Sequence, residues 1–363
     1  MTTILLHLYQ LAFATGPVTD TLGTENLINT NRVQFTVEAA MKSRTALKGI
    51  LGFSKQSQPV EAYYFPGTSS LRALVIGGVH GTELSSIDVA TELVAQLQQQ
   101  TGIYYSVIVI PSLFPDNAQM ARNMPVQIGS SLNIGRYSHS TAPDPNRQMP
   151  SLGKPFDEEH PVDYLNREIE QENRLLLTVI QQFKPERIVN IHAIRNEENA
   201  GIFADPRTDA DGYALEYASD SILAVRMAQY IEAHDGCAPG NKLQQAPTTL
   251  YACDPAVAQP GARQPRNLHG SSLGNNRGTG VSLGSWATTA VADTTDSTKN
   301  RPAIRLLTME FPGCKRPTDY AHPAEQLYRK KLVTLYAQSI AAVFLSDSGE
   351  GDQEDFRLAV KEQ

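Results

Sequence analysis

A histidine and a glutamate stand three positions apart in a glycine-rich segment, GGVHGTE over residues 77–83. The apolar residues 71–76 before it have the composition of a buried strand. Glycines let the backbone turn without steric cost, so His80 and Glu83 can converge on one point, as a zinc site requires. The alternative is that Glu83 interacts only with the dipole of the following helix and that His80 is a loop residue.

Two further residues capable of metal or acid–base chemistry lie in two other, mostly apolar runs. His192 ends the run over residues 188–192, and Glu310 lies in the run over residues 306–311. His192 is either a core histidine with satisfied hydrogen bonds or the second imidazole of a zinc site, which typically has three protein ligands and one position for water. Burying an unpaired carboxylate is costly, so Glu310 is either paired with a buried arginine or a general base beside the metal.

These residues are far apart in the chain, and the hydrophobic pattern predicts strands alternating with helices to bring them together. Strands are predicted at 59–65, 71–76, 105–110, 187–191 and 303–311, and helices at 33–47, 83–99, 163–183, 219–233 and 323–345. The alternation predicts an α/β fold, a three-layer α/β/α sandwich around a mixed, mostly parallel twisted sheet. Residues 112–161 and 236–284 are predicted to be irregular, and a ligand is expected at the carboxyl ends of the strands.

The order of these motifs resembles that of the carboxypeptidase A-like zinc metallopeptidases, over about residues 50–340. It comprises GGVHGTE, the Asn-Arg pair at 146–147, the strand-end histidine and Thr-x-Glu-Phe at 308–311. Segments 282–287 (SLGSWA) and 308–312 (TMEFP) resemble the bacterial murein tripeptide amidases, and the aspartoacylase and succinylglutamate desuccinylase branch shares the metal set. The resemblance implies a zinc carboxypeptidase-like fold and one Zn²⁺ per chain. Its ligands would be His80, Glu83 and His192, with Glu310 as the catalytic base.

The resemblance also implies roles for residues of the irregular stretch 112–161. Segment 114–123 (FPDNAQMARN) resembles the family's Asn-Pro-Asp-Gly…Arg-x-Asn, which makes Arg122 the catalytic group that polarises the scissile carbonyl and holds the oxyanion. Segment 144–150 (DPNRQMP) resembles Asp-Leu-Asn-Arg-Asn-Phe-Pro, which makes Asn146 and Arg147 the ligands of a substrate carboxylate. Both segments depart from the family pattern at two positions. Without the resemblance, surface ion pairing is the simpler interpretation of both arginines.

Digestive relatives place a tyrosine shortly before the segment that corresponds to SLGSWA, and this chain has none there. The accessory proton donor therefore stays open, with Tyr251 as the nearest upstream candidate. Arg277 stands in this place and is predicted to bind an acidic group of the substrate. Arg195 is a second candidate for the same role, and surface ion pairing is the alternative for each.

Composition argues against several other classes of protein. The 363 residues are 41% hydrophobic and 19% charged, which suits a large core rather than a disordered chain. A net charge of −7 argues against a nucleic-acid surface, and no apolar stretch approaches the roughly 20 residues of a membrane span. Neither nucleic acid nor membrane is therefore expected as a partner. The three cysteines, Cys237, Cys253 and Cys314, form no C-x-x-C pair, which argues against a cysteine metal site.

The spread of the candidate residues sets the expected domain organisation. At ~150 residues per domain, the length alone predicts about 2.4 domains. However, the candidate site residues between His80 and Glu310 must converge on one site, which predicts a single catalytic domain over 36–345. Residues 1–35 are predicted to be an N-terminal extension, and 346–363 an acidic, disordered tail. The apolar run at 4–14 resembles a signal peptide, but no basic residue precedes Arg32. A cytoplasmic location is expected, with secretion to the periplasm or beyond as the alternative.

The sequence thus predicts a zinc-dependent hydrolase with Glu310 as general base beside a zinc-activated water. Its substrate is expected to be a small acidic peptide with a free carboxylate next to the scissile amide bond, as for a carboxypeptidase or murein peptide amidase. One alternative is an N-acyl amino acid deacylase of the aspartoacylase or succinylglutamate desuccinylase type, which a small closed pocket would favour. The other is a non-catalytic ligand-binding protein on the same fold, against which the intact set of candidate residues argues.

Overall fold

A computed structural model of the protein describes residues 33–100, 102–215, 217–243 and 278–347, without the side chains of residues 217 and 218. Most of the predicted N-terminal extension and nearly all of the predicted acidic tail lie outside the described residues. Arg277, Tyr251 and Cys253 lie outside them as well. The predictions made for these parts of the chain stay predictions.

Strands and helices alternate along much of the described chain. The strands are β1 Leu47–Phe53, β2 Pro59–Phe65, β3 Arg72–Ile76, β4 Ser106–Ile110, β5 Arg187–Ile194, β6 Gly201–Ala204 and β7 Arg305–Pro312. The helices are α1 Val37–Lys42, α2 Leu84–Gln99, α3 Pro115–Asn123, α4 Gln171–Phe183, α5 Tyr217–Ala233, α6 Leu283–Ala287 and α7 Pro323–Ser339, the last continued by a π-helical turn over Ile340–Phe344. Among the described residues, no helix is both long and apolar enough to span a bilayer.

The strands form one mixed sheet in the order β1-β2-β4-β3-β5-β7-β6. The four central strands β4, β3, β5 and β7 are parallel to one another. Strands β1, β2 and β6 pair in antiparallel fashion at the two edges. The mixed sheet of the predicted α/β fold is therefore confirmed, with its parallel part confined to the centre.

The central strands bury alternate side chains on opposite faces of the sheet. On one face, strand residues such as Val75 and Leu307 pack with residues of α2, α5 and α7. On the other, residues such as Leu74 and Leu306 pack with residues of α1, α4 and α6. Because both faces are covered, the central strands read as continuous apolar runs, which is typical of parallel strands. The predicted three-layer arrangement is confirmed.

The structure differs from the predicted elements near the N-terminus and in the first irregular stretch. The helix predicted at 33–47 is short, since α1 ends at Lys42 and the chain continues into β1, which pairs with β2. Helix α3 lies inside the stretch 112–161 that was predicted to be irregular. Pro115 at its first turn and Asp116 beside it are favourable helix-start residues, and both were available in the sequence.

The helix predicted at 163–183 begins only at Gln171. The Asp163 carboxylate accepts hydrogen bonds from the backbone N–H groups of Leu165 and Arg167, and it also pairs with the Arg167 guanidinium at 2.6 Å. These bonds hold the backbone in a turn with Asn166 at φ +61°. A local side-chain-to-backbone network therefore competes with the first two helical turns.

Candidate metal centre and active site

His80 and Glu83 are carried by a tight turn between β3 and α2. Gly78 has φ +66°, a conformation that side chains with a Cβ disfavour. A Cβ on Gly81 would lie 2.2 Å from the backbone carbon of Asn117 in α3, so only glycine fits there. Glu83 precedes α2, but its side chain makes no capping hydrogen bond. The carboxylate instead contacts His80, His192 and Arg136, so the alternative in which Glu83 interacts only with the helix dipole is wrong.

The structure brings the three predicted metal ligands together. His80 Nδ1 lies 2.8 Å from Glu83 Oε1, and His192 Nδ1 lies 2.9 Å from Glu83 Oε2. All three residues are at most 5% exposed. One potential ligand atom from each residue falls within 4.8 Å of the other two. Two imidazole nitrogens and a carboxylate are the donor set of many catalytic zinc sites.

The opposite ring nitrogens of the two histidines also fit a metal site. His80 Nε2 lies 2.9 Å from Asp144 Oδ1, the outer carboxylate that a metal-binding histidine commonly donates to. His192 Nε2 lies 2.9 Å from Asn190 Nδ2, while the buried Asn190 Oδ1 has no hydrogen-bond partner in the described chain. Rotating that amide by half a turn lets Oδ1 accept a bond from Nε2–H. This tautomer leaves Nδ1 of His192 to bind a metal, so the residues fit the ion that the sequence predicts.

The charges in this cluster stabilise one another. Burial opposes protonation of His80, but Glu83 and Asp144 outweigh both burial and the Arg136 charge and raise its pKa to about 9. Burial also opposes ionisation of Glu83, but the charges of His80 and His192 hold its pKa well below the usual range. Without a metal, His80 therefore carries a proton at neutral pH, and binding of a metal ion would displace that proton.

Arg136 lies beside the metal group, and its Nη1 atom donates a hydrogen bond to Glu83 Oε1 at 2.8 Å. Burial opposes its charge, but Glu83 and Asp144 outweigh burial and raise its pKa. Arg136 therefore stays a cation beside the candidate metal position. It lies in a loop of the stretch 112–161, where its backbone N–H donates to the carbonyl of Asn133.

Glu310 stands on β7 directly opposite His192 on β5. Burial, assisted by the Glu83 charge, raises the pKa of Glu310 despite the nearby His192. In the described part of the chain no arginine forms an ion pair with Glu310, so the buried-arginine alternative is not observed. A carboxyl group with a raised pKa near the candidate metal position is suited to accept and return a proton.

Asn146 and Arg147 line the same cavity as the metal group and Glu310, about 300 Å³ in volume and called here the Arg147 cavity. The Asn146 side chain is held by a bond from the Leu283 N–H at 3.0 Å to its Oδ1. Arg147 Nη1 donates to the backbone carbonyl of Asn146 at 2.7 Å, and no described carboxylate pairs with the Arg147 guanidinium. Arg147 is therefore not in a surface ion pair, and its charge faces a cavity.

A second cavity of about 370 Å³ adjoins the first, and its lining includes Arg195 and Cys314. The two cavities share Glu83, Arg136 and Glu310. We call the second one the Arg195 cavity. A bound molecule could thus extend to both sides of the metal group.

Arg122, predicted as the oxyanion-binding residue, lines neither cavity. Burial and the charge of Arg316 lower its pKa, and the Asp88 charge opposes them. Because Arg122 lies on α3, it interacts with the charges of Asp88 and Arg316 and not with the metal group. The position expected of Arg122 beside the metal group is occupied by Arg136, which lies in the same irregular stretch.

Three residues of the site were not assigned from sequence, namely Arg136, Asp144 and Asp205, and all three line the Arg147 cavity. Asp144 belongs to the segment 144–150, and the need of a metal-binding histidine for an outer carboxylate was a signal that could have found it. Arg136 is a second arginine before that segment, and nothing in the residue pattern ranks it above Arg122. Asp205 follows β6, a strand that the hydrophobic pattern did not predict.

Asp88 on α2 is expected to destabilise the folded protein at neutral pH. Its Oδ2 atom is buried without a hydrogen-bond partner among described residues, and burial raises its pKa from 3.8 to about 6 against the Arg316 and Arg122 charges. Because the Asp88 carboxyl group is harder to ionise in the folded than in the unfolded protein, the free energy of unfolding is highest below pH 3.8. It falls as the pH rises through about 6. Asp88→Asn should therefore raise the free energy of unfolding by about 2–3 kcal/mol at about pH 8. The gain should vanish below about pH 4, as urea denaturation can measure, and an equal gain at both pH values would contradict this account.

Neither a protein-family model nor a curated protein matches this chain. The solved structures similar to it include a metallocarboxypeptidase, a carboxypeptidase A and a murein-tripeptide amidase. Bovine thrombin-activatable fibrinolysis inhibitor, solved with tick carboxypeptidase inhibitor, is 14% identical, with 85% of this chain and 94% of that chain covered and a TM-score of 0.45. Murein-tripeptide amidase from Escherichia coli O157 is 17% identical (83% and 98%, TM-score 0.39). A Pseudomonas aeruginosa metallocarboxypeptidase, solved with (2-guanidinoethylmercapto)succinic acid, is 16% identical (85% and 67%, TM-score 0.43).

Proposed function

We propose that the protein is a zinc-dependent hydrolase that cleaves an amide bond next to a free carboxylate in a peptide. The observation that carries this proposal is the convergence of His80, Glu83 and His192 in a cavity whose lining also includes Glu310 and Arg147. The cavity thus combines a metal-ligand set, a base that forms no ion pair with any described residue, and a cation that faces open space.

His80, Glu83 and His192 would hold the ion, and Asp144 would fix the ring of His80 through its Nε2 atom. When bound, the ion would supply a Lewis acid for the scissile carbonyl and would lower the pKa of the attacking water. Asn190 would fix the ring of His192 in the same way, with its Oδ1 atom accepting a hydrogen bond from Nε2–H.

Glu310 and Arg136 supply the proton transfer and the charge stabilisation. Glu310 accepts a proton from the attacking water and returns it to the nitrogen of the leaving amine. Arg136, fixed by its hydrogen bond to Glu83, stabilises the negative charge that develops on the carbonyl oxygen. Both groups border the two cavities, which suits groups that act on a bond between them.

The two cavities then receive the two parts of the substrate. Arg147, assisted by Asn146, binds the free carboxylate of the leaving residue in the Arg147 cavity. The Arg195 cavity takes the acyl part, which can be larger than a simple acyl group because this space adjoins the first. Two adjoining spaces favour a peptide over the small N-acyl amino acid of a deacylase.

A substrate panel on the zinc-loaded full chain tests this function. We expect peptides with a free C-terminal carboxylate to be cleaved at least about 100-fold more efficiently, by kcat/KM, than the same peptides as C-terminal amides. Release of the terminal amino acid is the readout. Cleavage of N-acyl amino acids alone would assign a deacylase, and cleavage of no member with stoichiometric zinc bound would contradict the proposal.

Arg136 and Arg122 provide a matched pair of substitutions. Arg136→Ala should lower kcat by about 10²- to 10³-fold, the usual cost of removing one oxyanion donor, with zinc content retained. Arg122→Ala should change kcat by less than about threefold, because Arg122 lines neither cavity. A larger loss in the Arg122 variant than in the Arg136 variant would return the catalytic role to Arg122.

A further inference from the structure

A further cavity, about 350 Å³ in volume, lies where the central parallel strands begin. Strands β3, β5 and β7 begin at Arg72, Arg187 and Arg305, and all three arginines line this cavity. The residues of the metal group stand near the carboxyl ends of the same strands, so the two sites lie at opposite ends of the sheet. Among the described residues, the cavity shares no part of its lining with the Arg147 and Arg195 cavities.

The lining of this cavity is rich in positive charge. We call it the basic cavity, after the six cationic residues that line it: Arg72, Lys184, Arg187, Arg207, Arg301 and Arg305. Among the described lining residues the single carboxylate is Glu186, and Asp220 nearby pairs with both Arg207 and Arg305. In a chain of net charge −7, a local excess of cations produces a field that attracts anions to this end of the sheet.

Arg301 is a buried cation without a carboxylate partner in the described chain. It is 8% exposed, and its guanidinium donates to the backbone carbonyls of Trp286, Ala287 and Thr289. Burial lowers the pKa of Arg301 to about 9, so the guanidinium keeps its proton at neutral pH. A buried cation that is held by neutral carbonyl groups is costly, and an anion in the cavity would offset that cost.

Two other cations of the basic cavity have donors to spare. The Nε atom of Arg72 is buried without a hydrogen-bond partner among the described residues, and Glu186 approaches its Nη2 atom only to 3.7 Å. Lys184, just after α4, donates to the carbonyl of Thr298 at 3.0 Å, and an ammonium group has three N–H donors. Guanidinium and ammonium donors match the oxygens of a phosphate group, which arginine can bind through two parallel hydrogen bonds.

The remaining lining of the basic cavity is mostly apolar and includes Leu71, Pro185 and Ile304. A phosphate ion fills only part of the space, which leaves room for an organic group against these residues. We propose that the basic cavity is a second ligand site, which binds a phosphate group, either free or carried by a small molecule. The site goes beyond the proposed hydrolytic function and does not depend on it.

Calorimetric titration of the zinc-loaded full chain with inorganic phosphate tests this site. At low ionic strength we expect a dissociation constant below about 1 mM. Combining Arg72→Gln with Lys184→Gln, two substitutions outside the fully buried core, should weaken binding at least about tenfold. Arg301→Gln should weaken it at least as much, and the double variant decides the matter if Arg301→Gln does not fold. As the matched control, Lys330→Gln removes an exposed cation of α7 and should leave the affinity within about threefold.

The metal group and Arg147 are the competing place for a phosphate ion. Phosphate affinity should therefore stay within about threefold in Arg147→Gln and in the metal-depleted wild type, since independent sites do not affect each other. Phenyl phosphate distinguishes the two sources of the phosphate group. Binding at least about tenfold tighter than that of inorganic phosphate assigns a phosphate ester, and equal binding assigns the free ion.

Three results would overturn the inference. They are no binding up to about 10 mM phosphate, equal affinity in the wild type and the double variant, or an affinity that is lost in Arg147→Gln or on zinc removal. Because none of these measurements uses turnover, the inference can fail separately from the proposed function. Phosphate binding through Arg72 and Lys184 in a protein that cleaves no peptide would remove the proposed function and leave this site in place.

Discussion

Replacing Glu310 by glutamine is expected to lower kcat by at least about 10³-fold while one zinc ion per chain is retained. Glutamine has nearly the shape of glutamate but cannot take a proton from the attacking water. Glu310 forms no ion pair among the described residues, so its loss should leave no charge stranded. The measurement is the turnover of a cleaved peptide, with zinc content determined by elemental analysis of the same sample.

The position of Glu310 makes this variant easy to interpret. It pairs in register with His192 on the neighbouring strand, and glutamine keeps the strand hydrogen bonds. A full residual kcat in Glu310→Gln would exclude Glu310 as the base. A loss of zinc together with activity would show that Glu310 acts mainly by holding the metal group together.

His192→Ala is expected to lose both the zinc ion and all measurable turnover. The substitution removes one of the three candidate ligands, the ring whose Nδ1 atom lies 2.9 Å from Glu83 Oε2. A zinc site with two protein ligands binds far more weakly, because each ligand contributes directly to the affinity. Zinc content after gel filtration and kcat for the same peptide are the two readouts.

His139 offers a control for this experiment. It is exposed and bonds locally to Thr141, so His139→Ala should retain zinc and full turnover. Stoichiometric zinc in His192→Ala would contradict the assignment of His192 as a ligand. A loss of zinc in both variants would point to a general effect on folding.

Much of the site follows from where the chain places its polar residues along apolar runs. His80, His192 and Glu310 stand in or just after β3, β5 and β7, and adjacent parallel strands bring such residues to one edge of the sheet. Their continuous apolar runs were sufficient to find these strands, since both faces of each are buried. The three-dimensional proximity of the metal ligands was therefore predictable without knowledge of the loops.

The loops were less predictable because their backbone is set by local contacts. Arg122 and Arg136 lie in one stretch without periodicity, and the helix α3 that carries Arg122 decides that it lines neither cavity. Asp205 follows a strand of four residues, too short for its pattern to be distinguished from a loop. Residue type alone does not show which charges of a loop will face a cavity.

A zinc titration of the metal-depleted protein, followed by peptide turnover, tests the central proposal most directly. We expect turnover to be absent before zinc is added, to rise in proportion to zinc and to stop rising at one ion per chain. The same titration of the His192→Ala variant should give no turnover at any zinc concentration. Turnover that persists in the metal-depleted protein, or a zinc-saturated protein that cleaves nothing, would contradict the proposed zinc-dependent hydrolase.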